Sequence, residues 1–303
     1  MRSCLLSFYP VLFTVSTYYH ADAAPVDNIA WPSRQHQLPE VDLAVLSSLY
    51  HATGGEYWTR KKRWMDVTYD PCSWSLVRCS HNRTSPSVTD LIHGNVTDLV
   101  HGNVTDLILE HNNLVGSLPT ELGLMPSLQR VSLRNNPDLG GALPSELGQL
   151  SNLNFGVDVA NCRITSSLPT ELGLLTAVKQ GLTGTNNSIT GEIPSQLGQM
   201  TAMSLGLSFA KNQLTGSIPS ELAYATKISH GGIALNMNNL TGSIPTQLGK
   251  MTISPPSANH LGGLSVNINK LTGTIPTQLG GFSNIHTVSF TTSFTDGEVT
   301  LFT

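Results

Sequence analysis

Charge is scarce in this sequence, and no long apolar run occurs beyond its N-terminus. Charged residues make up 12% of the 303 residues, about half of the share that is usual in globular proteins. The formal net charge is −4. Lys and Arg form no cluster of the kind that binds nucleic acid, so we expect no nucleic-acid partner. Beyond the N-terminus no run of about 20 apolar residues is present, which predicts a chain without a membrane-spanning helix.

The sequence also lacks the motifs of common catalytic and metal sites. It contains no GxSxG, no HExxH, no glycine-rich phosphate loop and no paired Cys/His residues at ligand spacing. We therefore predict that the protein is not an enzyme and uses no cofactor and no metal ion. His93 and His101 recur in a duplicated segment, but copied solvent-facing residues explain them better than a metal site does. The 27 Gly and 17 Pro are spread evenly, which argues against a disordered chain.

The first 23 residues have the layout of a secretory signal peptide. Arg2 precedes an apolar run from Cys4 to Val15, and Ala21 and Ala23 provide small residues before a cleavage point. A core helix is the alternative, but the run is short and has no helical periodicity. We predict cleavage after Ala23 and a secreted, extracellular protein or a cell-surface one. Five sequences of the type Asn-x-Ser/Thr are then candidate glycosylation sites: Asn82, Asn95, Asn103, Asn186 and Asn239.

Three cysteines remain once the signal peptide is removed. Cys72 and Cys79 lie in PCSWSLVRC, close enough to form a disulfide that closes a small loop around Trp74. A zinc site would need a second Cys or His pair at ligand spacing, and none is near in sequence. We therefore predict a Cys72–Cys79 disulfide.

A unit with the pattern LxGxIPxxLG repeats through most of the chain and predicts its architecture. The prolines of the units are 25 or 26 residues apart, except for a last interval of 31. They are Pro119, Pro144, Pro169, Pro194, Pro219, Pro245 and Pro276. A short segment of alternating apolar residues precedes each unit, as at Leu107 and Leu109, and indicates a strand with one buried face. Because one coil cannot bury its apolar face alone, the coils must stack into a continuous core.

An Asn follows nearly every predicted strand. We expect its side chain to turn inward and bind backbone groups of adjacent coils. The positions are Asn112, Asn136, Asn187, Asn212, Asn238 and Asn269. Cys162 occupies this position in the third repeat, where a small buried thiol is a structural substitute.

These repeats resemble those of plant-type extracellular leucine-rich-repeat proteins, the class found in receptor-kinase ectodomains and polygalacturonase-inhibiting proteins. LTGSIPSELA and LTGTIPTQLG carry the signature, and LAVLSSLYHATGGEYW with Trp58, Trp64 and Cys72-Ser-Trp74 matches the N-terminal cap. Leu76 stands where that family has Gly. The resemblance implies an α/β solenoid: a right-handed superhelix with short parallel strands on its concave face and an N-terminal helical cap that bears a disulfide.

The predicted organisation has four parts. Residues 1–23 form the signal peptide, 24–87 the cap, 88–103 a junction with duplicated VTDL and HGN sequences, and 104–303 an array of about seven repeats plus a degenerate eighth. Repeats three to six carry one or two extra residues before the strand, and residues 251–260 form an insertion. Gly184 replaces an inward apolar residue, which predicts weak packing there. An uncapped C-terminal edge would allow self-association.

The predicted function is recognition on the concave face, since long polar side chains on a rigid sheet specify a protein, peptide or glycan partner. The candidate contact residues are Asp106, Glu110, His111, Arg130, Arg134 and Asp158. Further along, the corresponding positions are small or uncharged, as at Thr183, Ser208, Gly232, Ala234, Ser265 and Asn267. Three alternatives stay open: an inhibitor of a cell-wall-degrading hydrolase, the ectodomain fragment of a transmembrane receptor kinase, and an ice-binding surface on the row Thr190, Thr215, Thr241 and Thr272.

Overall fold

The described part of the chain begins with one α-helix and continues as stacked coils. A computed structural model describes residues 40–66, 68–80, 103–225, 227–228, 232–251 and 263–281, all within the unit Ser33–Thr303. Helix α1, Glu40–Ala52, buries Leu43, Leu46 and Leu49, which is the apolar face that its sequence predicts. Within the described residues no helix has the length and apolar character needed to cross a membrane.

Within the described residues, eight short strands, one from each coil or from the cap, form a single sheet. The strands of the described residues are β1 Val77–Cys79, β2 Val104–Ile108, β3 Val115–Ser117, β4 Arg130–Ser132, β5 Asp138–Gly140, β6 Gly156–Asp158, β7 Leu182–Thr183, β8 Leu207–Ser208, β9 Ile233–Ala234 and β10 Leu264–Ser265. The order in the large sheet is β1-β2-β4-β6-β7-β8-β9-β10. Strand β1 is antiparallel to β2, and the later neighbours are parallel. Strands β3 and β5 pair separately on the outer side.

Each coil returns to the next strand through a short 3-10 helix that follows the proline of the repeat. These helices span Thr120–Leu124, Ser145–Gln149, Thr170–Leu174, Ser195–Gln199, Ser220–Tyr224, Thr246–Lys250 and Thr277–Gly281. The proline at the start of each helix between Pro119 and Pro245 has extended backbone angles. The Leu at the third position of each helix, such as Leu122 and Leu147, is buried. The repeat pattern therefore predicts the coil correctly.

The inward Asn residues bind the backbone of neighbouring coils, as predicted. Asn136 is fully buried. Its amide donates to the carbonyl oxygens of Leu109 and Leu133, and its Oδ1 accepts the N–H groups of Asn112 and Leu114 at 2.9 and 3.1 Å. Because a buried N–H without a partner is unfavourable, this side chain replaces solvent where the chain bends.

Cys162 takes the same place in its coil with fewer bonds. Its Sγ donates to the carbonyl of Leu133 at 3.4 Å, and the residue is buried as a free thiol. Burial raises the pKa of the Cys162 thiol to about 11. The structural role predicted for it is confirmed.

Aromatic rings and the disulfide build the cap. Trp58, Trp64 and Trp74 are buried, and the Trp58 and Trp64 rings pack edge to face at 79°, with their centres 4.7 Å apart. The Cys72–Cys79 disulfide is present, with Cα atoms 5.6 Å apart. Leu76 adopts the left-handed φ of 71° that Gly would adopt without strain, so the turn keeps its shape although Gly is absent.

The extra residues before the strands are accommodated by a stack of glycines. Gly156, Gly181, Gly206 and Gly232 all have positive φ, and a Cβ on any of them would overlap the carbonyl oxygen of the next glycine in the stack. Any larger residue would force the coils apart at these points. Gly232, assigned to the solvent face from the sequence, is one of these buried positions, and that assignment is wrong.

The core is well filled at Gly184, so the weak packing predicted from the sequence is wrong. Phe209 of the next coil is 1% exposed, and its ring occupies the space beside Gly184. A Cβ at Gly184 would lie 2.9 Å from two ring carbons of Phe209. One large side chain thus fills the inward volume of two coils.

Several predictions concern residues outside the described part. They are the signal peptide, Asn82, Asn95, His93, His101, the insertion at 252–260 and the degenerate eighth repeat. The division of the chain into cap, junction and array stays a prediction.

Candidate functional site: a charged patch on the concave face

The predicted contact residues come together because their strands are adjacent and in register. In the parallel pairing of β2, β4 and β6, Asp106 lies beside Arg130, and Ser132 lies beside Asp158. The side chains of Asp106, Arg130 and Asp158 are partly exposed and alternate with buried residues such as Leu107 and Val131. We call Asp106, Glu110, His111, Arg130, Arg134 and Asp158 the charged patch.

Arg130 is held on two sides. Its Nε lies 3.6 Å from the Asp106 carboxylate, and its guanidinium carbon lies 4.2 Å from the centre of the Phe155 ring. A stacked and paired guanidinium loses less side-chain freedom on binding than a free one. Sequence reasoning missed Phe155, although aligning the repeats places it next to the strand that pairs with β4.

Arg134 is held more loosely, against Asp158. The Nε–Oδ2 distance is 3.9 Å, and the Arg134 side chain is 46% exposed. Burial raises the pKa of Asp158, and Glu110 adds to this, while the N–H of Ala160 and the charge of Arg134 act in the opposite direction. The carboxyl therefore takes up a proton more readily than an ordinary Asp as the pH falls.

Glu110 and His111 complete the patch near the cap. Glu110 accepts a hydrogen bond from the Ser132 hydroxyl at 2.5 Å, and the guanidinium of Arg60 donates to its backbone carbonyl. His111 Nε2 lies 2.8 Å from the amide nitrogen of Asn135. Arg60 is a cap residue, and repeat spacing gives no signal for its arrival at this site.

An exposed ladder of side-chain amides runs from His111 along the edge of the concave face. Asn161 donates to Asn135 at 2.7 Å, and Asn186 donates to Asn161 at 2.9 Å. The ladder ends there, because Lys211 occupies the corresponding position in the next coil.

The later coils present a smaller and uncharged concave face. Thr183, Ser208, Ala234 and Ser265 follow Asp158 in register. The hydroxyls of Thr185 and Ser208 are 2.7 Å apart. The change from charged to small side chains that the sequence predicts is therefore present on one continuous surface.

Three predicted glycosylation sites lie in described residues. Asn103 and Asn186 are exposed, and Asn239 is half-buried. The Asn103 amide donates to the Ser127 hydroxyl at 2.7 Å. Modification at these sites stays a prediction.

The threonine row lies on the outer side of the solenoid. Its predicted members, Thr190, Thr215, Thr241 and Thr272, are exposed, and Thr165, also exposed, extends the row to a fifth coil. The N–H of each donates to the preceding coil at 2.8 or 2.9 Å. Among the described residues no group of three or more His, Cys, Asp and Glu is placed to hold a metal ion.

Comparison with solved structures identifies related folds. The leucine-rich-repeat ectodomain of the plant membrane receptor kinase GASSHO1/SCHENGEN3 from Arabidopsis thaliana, in complex with CASPARIAN STRIP INTEGRITY FACTOR 2, is 25% identical with a TM-score of 0.63. The match covers 80% of this chain and 26% of that one. The plant peptide hormone receptor RGFR1, in complex with RGF2, is 29% identical with a TM-score of 0.53, over 59% of this chain and 27% of that one.

A third similar structure is close to this chain in length. A plant ice-binding protein is 20% identical with a TM-score of 0.56, and the match covers 82% of this chain and 85% of that one. No protein-family model matches the sequence, and no curated protein does. The chain spans about a quarter of the length of these two receptor chains. By its repeats, its disulfide-bearing cap and its parallel sheet, the chain is a leucine-rich-repeat solenoid of the type seen in plant receptor-kinase ectodomains.

Proposed function

We propose that this chain acts outside the cell, without catalysis, by binding an extended segment of a peptide or protein partner along its concave face. The observation that carries the proposal is the preorganised Arg130, paired with Asp106 and stacked on Phe155. Arginine that is stacked and already paired is the type of residue that anchors interfaces. The two similar receptor ectodomains, each in complex with a partner, support the same function.

The charged patch can select partners by the pattern of its charges, because its ion pairs leave it with little net charge. Arg130 and Arg134 each face an aspartate, so a partner meets alternating charges in fixed positions. Such a pattern favours complementary partners and disfavours partners with like charges in those places. A surface ion pair stabilises the fold by only about 0–1 kcal/mol, so we expect reversal of these charges to weaken recognition more than stability, and the Tm of the variant checks that it is folded.

The test is selection of peptides on the purified chain. A phage-displayed library of random 12-residue peptides supplies the probe, and the selected peptides are then synthesised and their Kd measured by fluorescence anisotropy. We expect the double variant R130E/R134E to weaken binding at least tenfold. Arg163→Glu is the matched control, because Arg163 also pairs with an aspartate, Asp138 at 3.4 Å, but this pair lies beside strand β5 and away from the eight-stranded sheet. Equal binding by wild type and R130E/R134E would contradict the proposal.

The hydrolase-inhibitor and receptor-ectodomain alternatives share this binding face and differ in the partner. An inhibitor reduces the rate of a cell-wall-degrading hydrolase in a direct assay, and a receptor ectodomain does not. Inhibition that is lost in R130E/R134E and kept in R163E would therefore show that the protein is a hydrolase inhibitor.

Ice binding is a second candidate, favoured by the threonine row. The row extends over five coils with regular backbone pairing, and the similar plant ice-binding protein has nearly the same extent. Thermal hysteresis in the purified protein, lost in T190K/T215K and kept in R130E/R134E, would support this candidate. Ordinary freezing behaviour would exclude it.

A further inference from the structure

One backbone position recurs in the left-handed conformation in each coil from His111 to Ile268. The residue that follows the last outward residue of each strand segment has φ between 50° and 60°. In chain order these residues are His111, Asn135, Asn161, Asn186, Lys211, Met237 and Ile268. The left-handed conformation is unfavourable for most residues, is tolerated by Asn, and is a genuine outlier for a β-branched residue.

The first four members of this column gain hydrogen bonds from their position. They form the ladder that links His111, Asn135, Asn161 and Asn186. Asn is thus the residue that suits both the backbone and the surface at this place.

The last three members, Lys211, Met237 and Ile268, are not amide residues and do not extend the ladder. Met237 is 39% exposed and Ile268 is 47% exposed, so neither residue is kept there for packing in the core. Ile268 combines backbone strain with an exposed apolar side chain, and Asn would be more favourable on both counts. Strain of this sort accumulates at sites of function. We call Met237 and Ile268, together with the charged Lys211 of the preceding coil, the apolar rim.

These three residues occupy the same position in three successive coils. The N–H of Lys211 donates to the carbonyl of Asn236 at 2.9 Å, and the N–H of Met237 donates to that of Asn267 at 2.9 Å. Their coils are therefore direct neighbours, about 4.8 Å apart. No ion pair with Lys211 occurs among the described residues, so its ammonium group is available to a carboxylate.

We propose that the apolar rim binds one end of the peptide ligand, by taking two apolar side chains over Met237 and Ile268 and an acidic side chain at Lys211. This inference rests on the proposed function, since it assigns the ligand that crosses the concave face. Four strand spacings separate β4 from β9, or roughly 19 Å, which about six residues of extended chain cover. A segment of eight to ten residues therefore reaches from Arg130 to the apolar rim.

The decisive variant is M237N/I268N, because it removes the apolar surface and relieves the backbone. We expect its Tm to equal or exceed that of the wild type. We also expect it to bind the peptides selected on the wild type at least tenfold more weakly. Selected peptides should carry Asp or Glu next to Leu, Ile, Met or Phe, and K211E should remove the preference for the acidic residue. The matched control is Leu124→Asn, at an exposed apolar residue on an outer 3-10 helix, 52% exposed, which should leave binding unchanged.

The outcomes separate this inference from the proposed function. Loss of binding in R130E/R134E together with unchanged binding in M237N/I268N would overturn the apolar rim alone. Unchanged binding in both variants, or no peptide selected on the wild type, would contradict both proposals. If M237N/I268N instead converts a dimer to a monomer in light scattering, the rim contacts a second copy of this chain and the inference is wrong.

Discussion

The ring of Phe209 occupies the space beside Gly184 in the preceding coil, with two ring carbons 2.9 Å from where a Cβ would stand. The two residues are complementary, one without a side chain and one with a side chain large enough for both coils. Restoring an apolar residue at position 184 therefore overpacks the core. We expect Gly184→Leu to reduce the free energy of unfolding by about 1–3 kcal/mol in denaturant titrations.

A double-mutant cycle checks this relationship. Phe209→Ala alone should reduce the free energy of unfolding by about 3–5 kcal/mol, because it leaves a cavity. In G184L/F209A the leucine enters that cavity, so the double variant should be more stable than the sum of the single effects by about 0.5–3 kcal/mol. Simple additivity, or an increase in stability in Gly184→Leu, would show that the two residues do not share one volume.

The contact between Gly184 and Phe209 also shows which features of the fold the sequence does not predict. The repeats predict the strands, the Asn positions such as Asn136 and the 3-10 helices, since each follows from a pattern within one coil. The Cys72–Cys79 disulfide and helix α1 follow from local spacing in the same way. The filling of Gly184 by Phe209 and the glycine stack are contacts between coils, and the sequence of one coil does not contain them.

The candidate site shows the same difference between features that follow from the pattern of one coil and contacts that do not. The alternation of apolar residues places Arg130 and Asp106 on the solvent face, and strand register brings them side by side. The ring of Phe155 and the guanidinium of Arg60 reach the patch from outside the strands, so their contribution depends on loop conformations that the repeat pattern leaves undefined.

Cys162 offers a test of the inward Asn position. Its thiol is buried and has a pKa of about 11, so the reactive thiolate is rare at neutral pH. We expect no alkylation by iodoacetamide at pH 8 in the folded protein and full alkylation in 6 M guanidinium. Mass spectrometry measures both. Rapid labelling of the native protein would mean that this coil opens. Cys162→Asn should in turn raise the free energy of unfolding by about 1 kcal/mol, because an amide makes more backbone bonds than a thiol.

Asp42 predicts a dependence of stability on pH. Its carboxylate accepts the N–H of Val104 at 2.9 Å and joins helix α1 to strand β2. Burial raises the pKa of Asp42, and the bond from Val104 acts in the opposite direction. Since the folded pKa lies above the unfolded value, the contribution of Asp42 is fully present below the unfolded pKa and falls as the pH rises through the folded pKa. The stability of Asp42→Asn relative to wild type should therefore increase from pH 3.5 to pH 7.

Asp66→Ala supplies a control with the opposite sign, and it adds no Asn-x-Ser/Thr sequence. Hydrogen bonds from the hydroxyl and the N–H of Thr68 lower the pKa of Asp66. Its contribution is present above the unfolded pKa and is lost as the pH falls through the folded pKa, so this variant should lose stability relative to wild type as the pH rises. Denaturant titrations at pH 3.5, 5 and 7 measure both trends. Parallel trends in the two variants would contradict the assignment for Asp42.

The last prediction compares Gly206, a member of the glycine stack, with Gly242, which lies outside the stack. Both glycines have positive φ. Gly206 has a φ of 97°, and a Cβ there would overlap the carbonyl oxygen of Gly232 in the next coil. Gly242 has a φ of 73°, but the nearest atom to its Cβ would be Ser217 Cβ at 3.5 Å, an ordinary contact. Gly242→Ala therefore carries only the backbone strain, about 1–2 kcal/mol. Gly206→Ala adds a steric overlap with backbone that cannot move without separating two coils, and we expect a loss of about 3 kcal/mol or more. Thermal unfolding of the two variants provides the comparison. Equal losses would mean that the spacing of the coils is set by their side chains and not by direct contact between the glycine backbones.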